Sequence, residues 1–154
     1  MTNLACNVLK ALAGKTLATA ESCTGGGIGA ALTAIPGASG VYVGGVISYT
    51  NAVKRRLLGV PEEMLEQCGA VSAPVAEAMA QGARKALGAE IAVSVTGLAG
   101  PGGDAFGNPV GTVFVGYADA GGSLAREFHF PGDREEVRAQ AVEAALRLIL
   151  AQNP

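Results

Sequence analysis

The segment from Thr16 to Ala30 constrains the fold of this chain more than any other. It reads TLATAESCTGGGIGA, so a run rich in β-forming residues passes through Ser22, Cys23 and Thr24 into three consecutive glycines and then a helical pattern. A strand that ends in a glycine cluster before a helix is where α/β proteins place reactive side chains and bind anions. The segment therefore predicts an α/β sheet with a functional site at the end of a strand.

Helical and strand patterns alternate along the rest of the 154 residues. Helical periodicity, prolines and capping residues predict six helices, over residues 3–13, 28–36, 52–58, from 61, 72–87 and from 133. Thr50-Asn51 would cap the helix over 52–58, and Ser72 would cap the helix over 72–87. Asp133 and Glu136 form a capping box at the start of the last helix. Runs of β-branched and apolar residues predict strands over 15–20, 41–49, 91–96, 109–118 and 123–130. This order is typical of a single three-layer α/β/α domain, residues 1–154, with a mixed, mostly parallel sheet and a hairpin before the last helix.

The composition argues against several classes of protein. A formal net charge of −2 gives the chain no bulk electrostatic reason to bind nucleic acid. Three cysteines and one histidine favour neither a disulfide framework nor a zinc site, so we expect no metal. Because the sequence lacks a run of about 18 apolar residues and a basic, signal-like amino terminus, we expect a cytoplasmic protein with no membrane partner.

Ser22 is a candidate nucleophile that needs a base. The only histidine, His129, lies in a strand between two phenylalanines, which is typical of a structural or exposed residue. Lys54 is an alternative base, because it lies in the first turn of a predicted helix, where the positive helix end lowers the pKa of an ammonium group. Two ordinary interpretations stay open: Ser22 as a helix N-cap, and Lys54 as part of a solvated basic patch with the two arginines that follow it.

The residues around the serine carry alternatives of their own. Cys23 is a rival nucleophile, since a thiol near a helix amino terminus is acidified, although it could be a buried, inert cysteine. Glu21 could orient a base or bind a ribose hydroxyl, and it could equally cap a loop or pair with an arginine. Thr24, Gly25 and Gly26 offer a hydroxyl group and backbone N–H groups to an anion.

Two glycine-rich stretches would let a ligand approach the backbone. Gly25-x-Gly27-x-x-Ala30 matches the dinucleotide fingerprint formally, but no acidic residue near residues 41–49 would hold a ribose, so the match indicates an oxidoreductase only weakly. The stretch Gly97–Gly103 follows a predicted strand and could cradle a phosphate or an oxyanion, or be a plain flexible turn.

Arg134 and Arg138 lie one turn apart at the start of the terminal helix. Their guanidinium groups could clamp a phosphate in a bidentate manner, or they could form surface pairs with the acidic residues beside them. The sequence leaves both interpretations open.

Seven motifs follow one another along nearly the whole chain. They are AESCTGG (20–26), VISYTN (46–51) with Lys54, LGV (58–60), GAVS (69–72), VTGLAGPG (95–102), PVGTV (109–113) and FPGDR (130–134) with Arg138. Together they resemble the carboxy-terminal domain of the CinA family, and seven collinear motifs are far more specific than any one alone. That family includes stand-alone domains similar to this chain and longer proteins with an additional amino-terminal domain.

The resemblance implies an amidohydrolase that needs no metal or other cofactor. The family activity is hydrolysis of the carboxamide of nicotinamide mononucleotide to nicotinic acid mononucleotide and ammonia, in pyridine nucleotide recycling. The first two motifs make Ser22 the implied nucleophile and Lys54 its base, with Tyr49 close by. Backbone N–H groups from Cys23 to Gly26 would then stabilise the oxyanion.

The remaining motifs imply contacts to the substrate. Thr96 would hydrogen-bond the substrate or the oxyanion, Gly97 and Gly100 would lie in the loop at the active site, and Arg138 would hold the phosphate. One departure is visible, since Asn108 stands where the family commonly has a lysine directly before Pro-Val-Gly-Thr. If that lysine binds phosphate, the replacement affects affinity rather than chemistry.

A function from a different class stays open beside this one. The same glycine loops could hold a nucleotide without chemistry, in a regulatory domain linked to competence or DNA damage. We also expect a homodimer, because small chains with loop-borne sites often complete them across a symmetric interface.

Overall fold

The computed structural model describes all 154 residues, which form one five-stranded sheet covered by helices. The helices are α1 (Thr2–Ala11), α2 (Gly27–Thr33), α3 (Asn51–Leu58), α4 (Glu62–Cys68), α5 (Ala73–Leu87) and α6 (Arg134–Gln152), with a short 3-10 helix at Ala38–Gly40. The strands are β1 (Leu17–Glu21), β2 (Tyr42–Ile47), β3 (Ile91–Gly97), β4 (Thr112–Asp119) and β5 (Gly122–His129). No helix combines the length and the apolar character needed to cross a bilayer.

The sheet is mixed, as the sequence predicts. Its strand order is β2-β1-β3-β4-β5; β1 pairs in parallel with both β2 and β3, while β3–β4 and β4–β5 are antiparallel. Two of the four strand pairings are therefore parallel and two are antiparallel, although four of the five strands run in the same direction. β4 runs the opposite way because residues 98–111 return the chain directly, without the crossover helix that a parallel pair requires.

Helices cover both faces of the sheet and complete the three predicted layers. One face packs against α1, α2 and α6, and the other against α3, α4 and α5. Each face of the sheet forms a core with its helices. Along β3, side chains alternate between the two faces: Val93 and Val95 pack in the core with α1, α2 and α6, and Ala92 packs in the core with α3, α4 and α5. The stripe predicted for α6 is buried, and it comprises Val137, Ala141, Ala144, Ala145 and Leu148.

The element boundaries follow local hydrogen bonding. The Thr50 and Asp133 side chains cap α3 and α6, and the predicted capping box with Glu136 is present. Ser72 lies at the N-cap position of α5, but the expectation that its side chain caps the helix is wrong, because the hydroxyl donates to the Gly69 carbonyl instead. Strand β4 starts later than predicted, since the Thr112 amide donates to the Pro109 carbonyl in a turn.

The crossovers bring three strand ends together. The chain passes from β1 to β2 through α2 on one face, and from β2 to β3 through α3, α4 and α5 on the other. The carboxyl ends of these three parallel strands therefore meet at one edge of the sheet, where the connections diverge. In open α/β sheets, such a crevice is the usual place for a ligand.

Gly82 shows how closely the helices of the second layer approach. A Cβ atom at this position would lie 2.9 Å from the Leu58 Cα and would overlap the Leu58 backbone carbonyl at the end of α3. An alanine in a helix interior ordinarily stabilises a protein by about 1 kcal/mol over glycine. Here we expect Gly82→Ala to lower the free energy of unfolding by about 1–3 kcal/mol, because the overlap forces α3 and α5 apart.

Urea denaturation of Gly82→Ala beside Gly40→Ala tests this packing. A Cβ at Gly40 meets nothing within 4 Å, so we expect the control to stay within about 0.5 kcal/mol of the wild type. A Gly82→Ala protein as stable as the wild type would contradict the close contact between α3 and α5.

Candidate active site

A buried lysine contacts a serine at the edge where the strands meet. The Lys54 Nζ atom donates to the Ser22 Oγ atom over 3.0 Å and to the Ser48 carbonyl over 2.7 Å. Lys54 is 1% exposed and Ser22 is 8% exposed. The pair therefore lies out of bulk water, with hydroxyl and amine in direct contact.

The helix α3 explains why the lysine points inward. Lys54 and Leu58 lie one turn apart, so they share the face of α3 that packs on the protein, and both are buried. The neighbouring Arg55 and Arg56 are exposed. The alternative of a solvated basic patch is thus wrong for Lys54, as is that of an N-cap for Ser22, since Gly26 occupies the N-cap position of α2.

Burial changes the acidity of the lysine. It lowers the pKa of Lys54 from 10.5 to about 8, and the nearby Cys23 thiol opposes this only in part. The pKa is lowered as the sequence predicts, but the largest cause is the removal of the ammonium group from water and not the helix end. About a tenth of Lys54 is therefore neutral at pH 7, which makes it available as a base.

The pair lines a cavity of about 400 Å³ between the strand ends and the loop that follows β3. Eight of the residues predicted for the site lie along its wall: Ser22, Cys23, Tyr49, Lys54, Thr96, Gly97, Gly100 and Arg134. Sequence reasoning thus located the cavity. It did not separate the residues that face the cavity from those that build its frame.

Glu21 and Thr24 belong to that frame. The Glu21 carboxylate accepts hydrogen bonds from the Thr24 hydroxyl (2.6 Å) and from the amides of Ile28 (2.8 Å) and Gly29 (3.0 Å). Neither Glu21 nor Thr24 lines the cavity. Both side chains are committed to fixing the start of α2, which agrees with the alternative interpretation of Glu21 as a cap.

Gly25, Gly26 and Arg138 also stand behind the cavity wall. Both glycines have positive φ angles, which carry the chain through the tight turn between β1 and α2. The Arg138 side chain donates to the carbonyls of Cys23 (3.0 Å) and Thr24 (3.3 Å) from the far side of this turn. Arg138 is not among the residues that line the cavity, and the role that the structure shows for it is to hold this turn in place.

Cys23 lines the cavity, and its burial favours the second of its two interpretations, that of a buried, inert cysteine. Desolvation raises the pKa of the thiol to about 11 and outweighs the lowering effects of its own backbone N–H, Arg138 and Lys54. Since the thiolate is the nucleophilic form, Cys23 is a poor nucleophile near neutral pH. The idea of a thiol acidified by the helix end is therefore wrong, because burial outweighs the field of the turn.

Tyr49 and Arg134 link two sides of the cavity mouth. Arg134 donates to the Tyr49 hydroxyl (2.9 Å) and to the Gly100 carbonyl (2.7 Å). Tyr49 is 58% exposed and makes no hydrogen bond to Ser22 or Lys54. Arg134 is consequently an exposed cation at the open end of the cavity, whereas Lys54 is a buried one.

Two other predicted groups have fixed partners. The Thr96 hydroxyl donates to the Ala70 carbonyl over 2.7 Å, so its proton is not free for an oxyanion. His129 lies outside the cavity, with its ring nitrogens contacting Glu127 (2.6 Å) and Thr112 (3.3 Å). The interpretation of His129 as a surface residue is confirmed.

Six further residues that line the cavity were not predicted as site residues: Asn51 at the start of α3, and Ala70, Val71, Asp104, Ala105 and Phe106 in the connections. Asn108, which replaces the lysine expected in the resemblance, lies behind them and donates to the Asp104 carboxylate (2.8 Å) and to the Val71 carbonyl (3.2 Å). Asn108 thus fastens the loop to the rest of the wall. Asn51, Ala70 and Val71 lie within the VISYTN and GAVS motifs, which did not assign them a role, whereas the loop of Asp104 and Phe106 lies outside every motif.

The fold and the site define a class: an α/β domain with a buried Ser-Lys pair at the carboxyl edge of a mixed sheet. The family model for the CinA C-terminal domain matches residues 1–152. The chain belongs to this family. The predicted resemblance is confirmed.

Solved structures and curated proteins agree with this assignment. A competence-damaged protein superfamily member from Escherichia coli superposes with a TM-score of 0.96 at 37% identity, covering 98% of this chain and 89% of that one. A competence/damage inducible protein from Agrobacterium tumefaciens gives a TM-score of 0.95 at 41% identity, covering 99% and 95%.

The curated relatives fall into two lengths. A CinA-like protein of Geobacter metallireducens is 50% identical over 133 residues, which are 86% of this chain and 32% of the relative. The chain spans about a third of the length of such relatives. A Pseudomonas putida protein named nicotinamide-nucleotide amidohydrolase PncC is 52% identical over 128 residues, 83% of this chain and 80% of that protein.

The buried lysine makes stability depend on pH in a defined direction. The pKa of Lys54 is about 8 when folded and 10.5 when exposed, so the unfolded chain binds the proton more tightly, and the free energy of unfolding rises with pH across that window. The free energy of unfolding of the wild type, relative to that of Lys54→Met, should therefore increase by about 2 kcal/mol between about pH 7 and about pH 9.5. Urea denaturation of both proteins measures this difference, and a flat or falling one would contradict the lowered pKa.

Proposed function

We propose that this chain is an amidohydrolase that converts nicotinamide mononucleotide to nicotinic acid mononucleotide and ammonia. The observation that carries the proposal is the 3.0 Å contact between the Ser22 hydroxyl and a buried Lys54 amine with a lowered pKa. A serine next to a base is the arrangement that activates a hydroxyl for attack on a carbonyl carbon. The name of the Pseudomonas putida relative supplies the substrate.

The reaction divides into two steps. Neutral Lys54 takes the Ser22 proton while Oγ attacks the carboxamide carbon; the tetrahedral intermediate then breaks its C–N bond, and Lys54 returns the proton to the departing ammonia. In the second step, Lys54 takes a proton from water, which attacks the ester carbon. The ester bond breaks, Ser22 recovers its proton, and the carboxylic acid product leaves.

The turn after β1 offers a donor for the oxyanion. The amides of Ser22 and Gly25 donate to the carbonyls of Val95 and Ser22, whereas the Cys23 amide donates to no backbone carbonyl. Cys23 also lines the cavity. The Cys23 N–H is therefore the donor that we assign to the developing negative charge, and Arg134 at the cavity mouth is the cation that we assign to the phosphate.

Removal of the nucleophile gives the most direct test. Ser22→Ala should lower ammonia release from nicotinamide mononucleotide by at least about 10³-fold, because no other nucleophile touches Lys54. Cys23→Ala serves as the matched control and should keep activity within a few-fold of the wild type. A coupled ammonia assay measures both, and thermal unfolding confirms that the variants fold.

The result also separates enzyme from binding domain. Near-normal turnover by Ser22→Ala would move the role to a directly activated water molecule, whereas loss of activity in Cys23→Ala alone would make the thiol the nucleophile. A wild-type chain that binds the nucleotide and releases no ammonia would refute the proposal in favour of a regulatory domain.

The lowered pKa of Lys54 should appear in the pH dependence of the reaction. Because the neutral amine is the reactive form, kcat/KM should rise with pH as one group loses its proton, with a midpoint near pH 8. Lys54→Ala should lose about 10²- to 10⁴-fold in kcat/KM and show no such rise, while Arg55→Ala, on the exposed side of α3, should retain it. A Lys54→Ala profile with the wild-type midpoint would assign the base elsewhere.

A further inference from the structure

Phe106 is a half-exposed aromatic side chain in the wall of the cavity. It is 50% exposed and belongs to none of the buried apolar clusters. The other aromatic residue of the cavity, Tyr49, has its hydroxyl engaged by Arg134. Leaving half of a phenyl ring in water forgoes hydrophobic stabilisation that a flat ligand could recover.

The Phe106 ring is nevertheless held in place. Its backbone amide donates to the Asp104 carboxylate over 3.0 Å. Its ring lies against Gly69, where a Cβ atom would come within 2.6 Å of the Phe106 Cδ2 atom. Gly69 thus leaves room for the ring. Because the ring is already held in place, a ligand that stacks on it would cost the protein little conformational entropy.

Asp104 places a negative charge beside the ring. It is the only carboxylate that lines the cavity. Although partial burial raises the pKa of Asp104, hydrogen bonds from Asn108 and Phe106 outweigh it and hold the pKa below its ordinary value. A positively charged aromatic ring would be attracted both to this carboxylate and to the π face of the phenyl group.

We propose that Phe106 selects the ring of the substrate, with a flat, positively charged heteroaromatic ring stacking on its face and Asp104 serving as the counter-charge. The inference rests on the proposed function, because the carboxamide that Ser22 would attack is carried by such a pyridinium ring. It adds to that function the chemical property by which the ring would be recognised.

Direct binding to two matched ligands tests the inference. Nicotinamide mononucleotide and its dihydro form share the phosphate, ribose and carboxamide, but only the first has a charged aromatic ring. In a Ser22→Ala background, which blocks turnover, Phe106→Leu should weaken calorimetric binding of the oxidised ligand about tenfold and of the dihydro ligand no more than about twofold. Leucine keeps an apolar side chain beside Gly69 and removes the π face.

Two further variants complete the design. Phe106→Tyr retains the π face and should retain the preference for the oxidised ligand, while Leu57→Ala, an exposed apolar residue outside the cavity, should change neither affinity. Equal weakening of both ligands by Phe106→Leu would show that Phe106 merely holds the loop and would overturn the inference. Unchanged binding of the oxidised ligand would overturn it as well.

The outcome is separable from that of the proposed function. A wild-type chain that releases ammonia, with affinities insensitive to Phe106, would leave the function standing and remove the inference. A wild-type chain that binds the oxidised ligand through Phe106 but releases no ammonia would refute the proposed function and support the inference about Phe106. A chain that neither binds nor hydrolyses nicotinamide mononucleotide would refute both.

Discussion

The burial of Lys54 without a carboxylate partner is the constraint on which the site depends. Moving an ammonium group out of water is costly, and proteins usually offset that cost with an ion pair. Here the Nζ atom has two neutral oxygen partners, on Ser48 and Ser22. An adjacent carboxylate would hold the proton on the amine and raise its pKa, whereas neutral partners let burial lower it. The burial of Lys54 therefore lowers the stability of the protein at neutral pH, but it leaves part of the amine neutral and able to act as a base.

Glu21 positions the lysine without touching it. Its backbone carbonyl accepts from the Ser48 amide over 2.8 Å, and the Ser48 carbonyl in turn accepts from Lys54. Its carboxylate is engaged at the start of α2 and is therefore not free to pair with the ammonium group. One residue at the end of β1 thus fixes the residue after β2 through its backbone and the start of α2 through its side chain.

The sequence predicts those parts of the molecule that local pattern determines. Apolar periodicity locates the strands and α6, and the residue types after β1 and in the first turn of α3 indicate Ser22 and Lys54. Long-range contacts lie beyond such patterns. Arg138 reaches back 115 positions to the Cys23 carbonyl, and the loop of Phe106 is held at the cavity by contacts with Gly69 and Val71. The sequence leaves the acidity of Cys23 open, because its position favours the thiolate while its burial, which the sequence does not show, disfavours it more strongly.

The segment Glu21–Gly26 shows why a strong motif does not assign a role to each of its members. As the chain leaves β1, Ser22 and Cys23 face the cavity, whereas Glu21 and Thr24 face α2 and hydrogen-bond each other. Reactive groups must be held to within a fraction of an ångström, so the residues that hold them are as constrained as those that react. A motif therefore records chemistry and support together. Only the direction of each side chain, which depends on the packed helices around the turn, separates the two.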